Sequence, residues 1–164
     1  MKYKLKTRKP FYFLGMLLVL MIVSLNNLIA INITKSEPTG IYIRDFSPVK
    51  KGDYVIIRKA DVENYLIYTN VTIEDGLLKN IVATEGDSYI IKDDKFIVGN
   101  ISVNIQKNVS SGRTLPQLKE GQYIVEKNNF LAISTYNEDS FDSRYMGELS
   151  KYAIVAKVRP LILF

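Results

Sequence analysis

Short runs of β-branched and aromatic residues, separated by Gly, Asp, Asn and Pro, follow one another through most of this chain of 164 residues. Gly52-Asp53 precedes the run Tyr54–Ile57, and Gly86-Asp87 follows the run Leu77–Ala83. Short apolar runs that alternate with turn residues are typical of strands, and many such strands favour a sandwich or barrel. Only residues 60–69 weakly indicate a helix. The sequence therefore predicts a mainly β fold with an antiparallel sheet or barrel core.

Turns in the second half of the chain predict hairpins. Asp93-Asp94 and Gly99-Asn100 each separate two apolar runs, which indicates a small β-hairpin insertion over residues 88–115. A further hairpin is predicted between Gly121–Val125 and Phe130–Ile133.

The basic residues are unevenly distributed. The chain has 22 Lys and Arg against 17 Asp and Glu, a net charge of +5. Residues 1–9 contain five of the basic residues and no acid, so the rest of the chain is neutral overall. A nucleic-acid-binding domain carries a basic patch on its folded part, so no nucleic-acid partner is expected.

The segment after this basic tail, residues 11–31, carries no charge and is almost entirely apolar. At about 1.5 Å rise per residue, a helix of this length could cross a hydrocarbon core of roughly 30 Å. The alternative is a cleaved signal peptide, but no good small-x-small cleavage site follows the segment. The sequence predicts one transmembrane signal anchor over residues 10–31. The positive-inside rule then leaves residues 1–9 in the cytoplasm and places residues 32–164 beyond the cytoplasmic membrane.

The chain has no cysteine and no histidine. These absences exclude a disulfide framework, a Cys/His metal site, a thiolate nucleophile and a Ser-His-Asp triad. Any catalysis must therefore use Ser, Thr, Tyr, Lys, Arg, Asp or Glu, and neither a metal nor another cofactor is expected.

Three stretches contain candidate catalytic residues. In the first, Thr34–Tyr42, Ser36 precedes a Pro-x-Gly turn that could display its hydroxyl beside free backbone N–H groups, as a nucleophile with an oxyanion hole requires. The alternative is an ordinary turn. In the second stretch, Lys79 interrupts an apolar run, and burial would lower its pKa towards that of a general base. The alternative is an edge strand on which Lys79 points outward.

The third stretch runs from Asp139 to Gly147. Asp142 and Arg144 could form an ion pair, and Ser140 could orient a lysine ammonium. An exposed loop is the alternative.

Together these stretches resemble the type I signal peptidases, most closely the TraF-type conjugative-transfer peptidases. The nucleophile motif Ser-x-Pro-x-Gly-Leu/Ile-Tyr is matched by Ser36–Tyr42, and the Gly-Asp-x-Val strand by Gly52–Val55. The lysine motif is matched by Lys79–Asp87, and the Ser-x-Asp-Ser-Arg-Tyr-x-Gly motif by Ser140–Gly147. The four motifs occur in the family's order and cover roughly residues 9–160.

The resemblance implies a role for each matching residue. Ser36 would attack the scissile carbonyl, and Lys79 would act as the general base. The backbone N–H of Ser36 and the hydroxyl of Thr34 would form the oxyanion hole, and Ser140 would orient the Lys79 ammonium. The residues expected to support the site structurally are Asp142 and Arg144.

The chain also departs from the family pattern. Glu37 follows the serine where housekeeping signal peptidases have Met, Asn80 replaces the usual Arg, and Glu85 replaces a Pro. Ser134–Asn137 occupies the region of the missing Gly-Asp-Asn. These departures leave the substrate preference open.

The resemblance implies a membrane-anchored serine endopeptidase that cleaves signal sequences or pilin-like precursors at the outer face of the cytoplasmic membrane. Its expected partners are precursor proteins, the lipid bilayer and a secretion or conjugation machinery. The alternatives are an inactive scaffold component of such a system and an unrelated anchored binding module. An active dyad predicts Ser36 Oγ and Lys79 Nζ within hydrogen-bond reach, with Ser140 close by.

Overall fold

The computed structural model describes residues 9–68, 76–108 and 112–164. The helices within these ranges are α1 (Lys9–Leu28), α2 (Lys59–Leu66), α3 (Ser143–Met146) and a 3-10 helix (Lys151–Ala153). The strands are β1 (Ile29–Asn32), β2 (Gly40–Asp45), β3 (Tyr54–Arg58), β4 (Gly76–Thr84), β5 (Ser88–Lys92), β6 (Lys95–Val98), β7 (Ile101–Asn104), β8 (Gly121–Ile124), β9 (Asn129–Ala132), β10 (Leu149–Ser150) and β11 (Ile154–Leu163).

The strands form two antiparallel sheets. Seven strands make the larger sheet in the order β1-β2-β11-β3-β4-β9-β10, and four make the smaller sheet in the order β7-β6-β5-β8. The prediction of a mainly β, antiparallel fold is therefore confirmed, and the weak helix signal corresponds to α2. The last strand, β11, lies between β2 and β3 and continues to Leu163 past a register shift between Pro160 and Ile162.

The β5–β6 and β6–β7 connections are tight hairpins, as predicted. Lys92 pairs with Lys95, so the first turn consists of Asp93 and Asp94, both with positive φ (51° and 56°). Two left-handed residues in a two-residue loop match the twist of the flanking strands, and Asp tolerates that conformation.

The predicted hairpin between residues 121–125 and 130–133 is wrong. β8 pairs with β5, whereas β9 pairs with β4 and β10. The Tyr89 and Tyr123 rings stack across the β5–β8 pair with their centroids 5.2 Å apart. This cross-strand aromatic contact contributes to holding β8 in the smaller sheet.

Two main clusters of buried side chains form the core. One contains Val82, Phe96 and Leu131 and joins the two sheets. The other contains Val55, Ile81 and further apolar side chains of the larger sheet. β4 contributes to both clusters, so it lies at the centre of the fold.

The N-terminal prediction requires a correction. α1 covers Lys9–Leu28, and the chain then enters β1, whose Ile29 pairs with Ile43. Among the helices of the described ranges, none has the length and apolar character needed to cross a membrane. The transmembrane anchor predicted over residues 10–31 is therefore not supported.

Candidate active site

Lys79 lies near the middle of β4, opposite Val55 of β3. Because β4 has β3 on one side and β9 on the other, it is an interior strand, and the side chain of Lys79 is completely buried. The alternative of an outward-pointing lysine on an edge strand is wrong. Alternation along the strand places Lys79 on the same face as Leu77 and Ile81. Ile81 belongs to the apolar cluster of the larger sheet, and Leu77 packs against that cluster.

Burial lowers the pKa of Lys79, because the charged ammonium loses its hydration. The negative charges of Asp142 and Glu37 act in the opposite direction, and the positive charge of Arg144 lowers the pKa further. Nζ donates a hydrogen bond to Ser140 Oγ at 2.7 Å. The structure thus brings the predicted base and its predicted orienting residue into contact.

Asn32 fixes the turn that carries Ser36. Its side chain is buried, and Nδ2 donates hydrogen bonds to the carbonyl oxygens of Thr34 (3.1 Å), Glu37 (3.0 Å) and Pro38 (3.0 Å). Its Oδ1 accepts from the Thr34 N–H at 3.1 Å. One amide side chain therefore holds both sides of the serine turn in place.

The Ser36 hydroxyl is bonded to Thr34 in this structure. Thr34 Oγ1 donates to Asn32 Oδ1 at 2.7 Å, and Thr34 Oγ1 lies 3.2 Å from Ser36 Oγ. Since the single proton of Thr34 goes to Asn32, Ser36 must be the donor in the second contact. Among the residues that the structure describes, no hydrogen bond joins Ser36 Oγ to Lys79 Nζ, so the direct contact expected for the dyad is absent from this resting arrangement.

The segment after β9 holds the serine turn from the other side. Ser134 Oγ donates to the Ser36 carbonyl oxygen, and Asn137 Nδ2 donates to that of Lys35 at 3.0 Å. An open cleft of about 380 Å³ lies beside these contacts. Its lining residues are Lys35, Thr39, Tyr136 and Asn137. The cleft therefore borders the turn on which Ser36 is displayed.

Asp142 and Arg144 form a buried two-bond ion pair. Arg144 Nε and Nη2 each lie 2.9 Å from a different carboxylate oxygen of Asp142, and both side chains are fully buried. Arg144 also donates to the carbonyl oxygens of Ser140 (3.0 Å) and Glu138 (2.8 Å). The pair thereby fixes the backbone of the residue that contacts Lys79.

Glu37 is a further buried ionisable group whose charge acts on Lys79. Its side chain is 2% exposed. Loss of hydration on burial raises its pKa from 4.5 to about 7, although the charge of Lys79 and a hydrogen bond from the Asn80 backbone N–H both lower it. The sequence identified Glu37 only as a departure from the family pattern.

The structure thus groups the predicted residues into three contacting pairs: Thr34 with Ser36, Lys79 with Ser140, and Asp142 with Arg144. Sequence reasoning missed the roles of Asn32, Ser134 and Asn137 in shaping the turn. A sequence signal existed for Asn32, because asparagine often bonds to the backbone two residues further on, as it does here with Thr34.

Comparison with known proteins decides the family. The signal peptidase family (peptidase S26) matches residues 10–163, which is nearly the whole chain. The chain belongs to the signal peptidase family. It is also similar to two plasmid transfer proteins TraF of Escherichia coli. One is 28% identical over 149 residues and the other 27% identical over 144 residues; each match covers 80% of this chain and 81% of the relative.

A solved signal peptidase I from Enterococcus faecalis is also similar. Its crystal structure matches with a TM-score of 0.42 and 13% identity, over 70% of this chain and 100% of that one. The resemblance to type I signal peptidases, with closeness to the TraF type, is thus confirmed by the family match and the TraF relatives.

Proposed function

We propose that this signal peptidase family member is a serine endopeptidase in which Ser36 is the nucleophile and Lys79 the general base. The main support is the state of Lys79, which is completely buried, has a lowered pKa and donates to Ser140 Oγ. A lysine can accept a proton only when it is neutral, and burial in an apolar strand favours the neutral form.

The proposed reaction begins with a rotation of the Ser36 hydroxyl from Thr34 towards Lys79, since the resting bond is to Thr34. Catalytic hydrogen bonds are often incomplete until substrate binds. Lys79 Nζ then takes the hydroxyl proton as Oγ forms a bond to the scissile carbonyl carbon, giving a tetrahedral intermediate. The resulting ammonium donates that proton to the leaving amine as the C–N bond breaks. Water, activated by the neutral lysine, then hydrolyses the acyl-enzyme and frees Ser36.

The oxyanion hole of this proposal consists of the Ser36 backbone N–H and the Thr34 hydroxyl. The Thr34 hydroxyl proton is directed to Asn32 Oδ1 at rest. Thr34 must therefore redirect that proton to the carbonyl oxygen of the substrate when the tetrahedral intermediate forms. Donors placed where charge develops are often the largest contribution to acyl-transfer catalysis.

We propose precursor proteins with signal sequences or pilin-like segments as substrates, bound in extended conformation along the cleft beside Ser36. Two relatives are plasmid transfer proteins, which supports a substrate within a conjugation machinery. The location at the outer face of the cytoplasmic membrane stays a prediction from the basic N-terminal tail.

Cleavage of a precursor with a small-x-small site tests the proposal. Purified wild-type protein, Ser36→Ala and Lys79→Ala are incubated with the precursor, and products are identified by mass spectrometry. The matched controls are Ser102→Ala and Lys127→Ala, two exposed positions on β7 and in the β8–β9 connection. We expect cleavage by wild type and controls and loss of cleavage in the two dyad variants.

Equal cleavage by Ser36→Ala would contradict the mechanism. No cleavage by folded wild-type protein with any such precursor would favour an inactive scaffold, in which Ser36 keeps its bond to Thr34.

A further inference from the structure

The cleft beside the serine turn contains polar groups that the proposed mechanism does not use. Its volume is about 380 Å³, and its lining residues are Lys35, Thr39, Tyr136 and Asn137. Lys35 directly precedes the nucleophile, and Thr39 lies three residues after it. Every one of these four side chains can form hydrogen bonds. The cleft is thus able to recognise a polar side chain of a bound peptide.

The same hydrogen bonds hold the cleft and the nucleophile together. Asn137 Nδ2 donates to the Lys35 carbonyl oxygen at 3.0 Å. Ser134 Oγ donates to the Ser36 carbonyl oxygen and accepts from the backbone N–H groups of Tyr136 and Asn137, each at 3.2 Å. These bonds use backbone atoms of the serine turn, so replacing the Lys35 side chain leaves them intact. A peptide bound at Ser36 therefore passes this cleft close to its scissile bond.

The unused polar groups of the cleft are mainly hydrogen-bond donors. Among the described residues, Lys35 Nζ and the Tyr136 hydroxyl have no hydrogen-bond partner, and Asn137 Nδ2 uses one of its two N–H groups. The Thr39 hydroxyl proton is directed to the Phe164 carbonyl oxygen. An ammonium, a phenol and an amide N–H together suit a carboxylate, because a carboxylate only accepts.

Lys35 also gives the cleft a positive charge that the described part of the chain leaves unpaired. The Lys35 side chain is exposed, and none of the ion pairs among the described residues includes it. Glu37, the acid next to the nucleophile, is buried and accepts from the Asn80 backbone N–H instead. A negative charge that enters the cleft from a substrate would therefore meet the ammonium without displacing a described carboxylate.

We propose that this cleft is a specificity subsite for an acidic side chain of the substrate, and that Lys35 determines the preference. The carboxylate of a substrate Asp or Glu accepts from Lys35 Nζ, with Tyr136 and Asn137 as further donors. Because an extended peptide advances about 3.3 Å per residue, the acidic side chain lies within about three residues of the scissile bond. This inference rests on the proposed function, since it takes the cleft to be part of the substrate-binding surface.

Peptide binding to an inactive variant tests the inference without cleavage. The probes are fluorescent peptides around a small-x-small site, with Glu, Gln or Lys placed in turn at each of the three positions on either side of the scissile bond. Their C-termini are amidated, so that no terminal carboxylate competes for the cleft. Binding to Ser36→Ala is followed by fluorescence anisotropy. At one or more positions we expect the Glu peptide to bind about fivefold or more tighter than the Gln peptide, and the Lys peptide to bind most weakly.

Substitution of Lys35 in the Ser36→Ala background shows which residue is responsible. Lys35→Glu should reverse the order of affinities, because the cleft then carries the opposite charge. Lys35→Met removes the charge from a long side chain and should abolish the difference between the peptides. Lys127→Glu, at an exposed position outside the cleft, is the matched control and should keep the wild-type order. The preference for Glu should also shrink at high salt, since exposed charges are screened.

Equal affinity for the Glu, Gln and Lys peptides at every position would overturn the inference. A preference for Glu that survives in Lys35→Met, or no saturable binding of any peptide, would overturn it as well. Cleavage of the same peptides by protein that retains Ser36 separates this inference from the proposed function. If the preference depends on Lys35 but no peptide is cleaved, the subsite stands and the peptidase mechanism fails. If peptides are cleaved but all three side chains bind equally, the peptidase stands and the subsite does not exist.

Discussion

Lys79 and Glu37 respond to the same burial in opposite directions. Loss of hydration lowers the pKa of the lysine and raises that of the glutamate to about 7. Each residue is therefore displaced towards its neutral form, which for the lysine is the form that can act as a base. A Ser/Lys site needs no histidine for this purpose, because an apolar strand interior supplies the required change in basicity.

The contact between Lys79 and Ser140 gives a prediction at the residue scale. Ser140→Ala leaves Nζ without the acceptor now at 2.7 Å, and an unsatisfied buried donor costs roughly 1–3 kcal/mol. If the same free energy is added to the activation barrier, kcat/KM for precursor cleavage should fall roughly tenfold to a hundredfold. Ser102→Ala, at an exposed position on β7, is the matched control. A Ser140→Ala enzyme as active as this control would mean that Ser140 does not orient the base.

The raised pKa of Glu37 gives a second prediction, on stability. Because the pKa of Glu37 is higher in the folded than in the unfolded protein, its protonation contributes to the free energy of unfolding. This contribution is fully present below the unfolded pKa of 4.5 and is lost as pH rises through the folded pKa of about 7. Glu37→Gln does not titrate. Its unfolding free energy relative to wild type should therefore rise by about 3 kcal/mol between about pH 4 and about pH 8.

Urea denaturation at several pH values measures this difference. Glu63→Gln on α2 is the exposed control and should follow wild type throughout. Parallel stability curves for Glu37→Gln and wild type would show that the pKa of Glu37 is the same in the folded and the unfolded protein.

At the scale of elements, the segment between β9 and α3 links the Asp142–Arg144 pair to the serine turn. Asp142 caps α3 by accepting the Arg144 N–H at 3.1 Å and also accepts the Ser134 N–H at 3.0 Å. Ser134 in turn donates to the Ser36 carbonyl oxygen. A continuous set of hydrogen bonds thus joins the support residues to the serine turn.

Arg144→Lys tests this connection. Lysine keeps the charge but loses the planar fork that binds Asp142 with two bonds and also reaches backbone carbonyls. We expect a loss of unfolding free energy on the order of 3 kcal/mol by urea denaturation, because a buried pair is disrupted.

Arg58→Lys is the matched control. Arg58 forms an exposed ion pair with Asp61, with Nη1 and Oδ2 3.5 Å apart. Loss of this pair should lower the unfolding free energy by under about 1 kcal/mol. Equal losses in the two variants would refute a special role for the buried pair.

Local signals and long-range contacts differ in how well the sequence predicted them. The strands and the Asp93-Asp94 turn were predictable, because alternation and turn chemistry act over a few residues. The pairing of β8 with β5 was not, since proximity in the chain favoured a hairpin with the segment after Asn128. The contacts of Asn32 and Ser134 also depend on distant segments, and the predicted site came from the resemblance of four motifs.

At the scale of the whole molecule, the order of strands places β11 between the part of the sheet that carries the serine turn and the part that carries Lys79. β11 lies between β2, which follows the serine turn, and β3, which pairs with the lysine strand β4. The Phe164 N–H donates to the Thr39 carbonyl oxygen at 3.1 Å, so pairing extends to the residue before β2. Residues 154–164 therefore connect the strand that follows the serine turn to the strand that pairs with β4.

Gly40→Ala tests this dependence. A Cβ atom at Gly40 would lie 2.3 Å from the Ile162 carbonyl oxygen and 2.9 Å from Leu163 Cδ2, so β2 and β11 would have to separate. Overpacking of this kind costs typically 1–3 kcal/mol, and we expect a loss of that size in urea denaturation. Because Gly40 lies four residues after Ser36, kcat/KM should fall as well.

Gly15→Ala is the matched control for this variant. Gly15 lies in α1, and an added Cβ would meet no described atom within 4 Å apart from its chain neighbours and the helix's own backbone. Alanine in a helix gains up to about 1 kcal/mol over glycine. It should therefore be neutral or stabilising and leave cleavage unchanged. If Gly40→Ala matches wild type in both measurements, the close approach of β11 to the serine turn does not determine the site. If it is destabilised but fully active, β11 supports the fold without positioning Ser36.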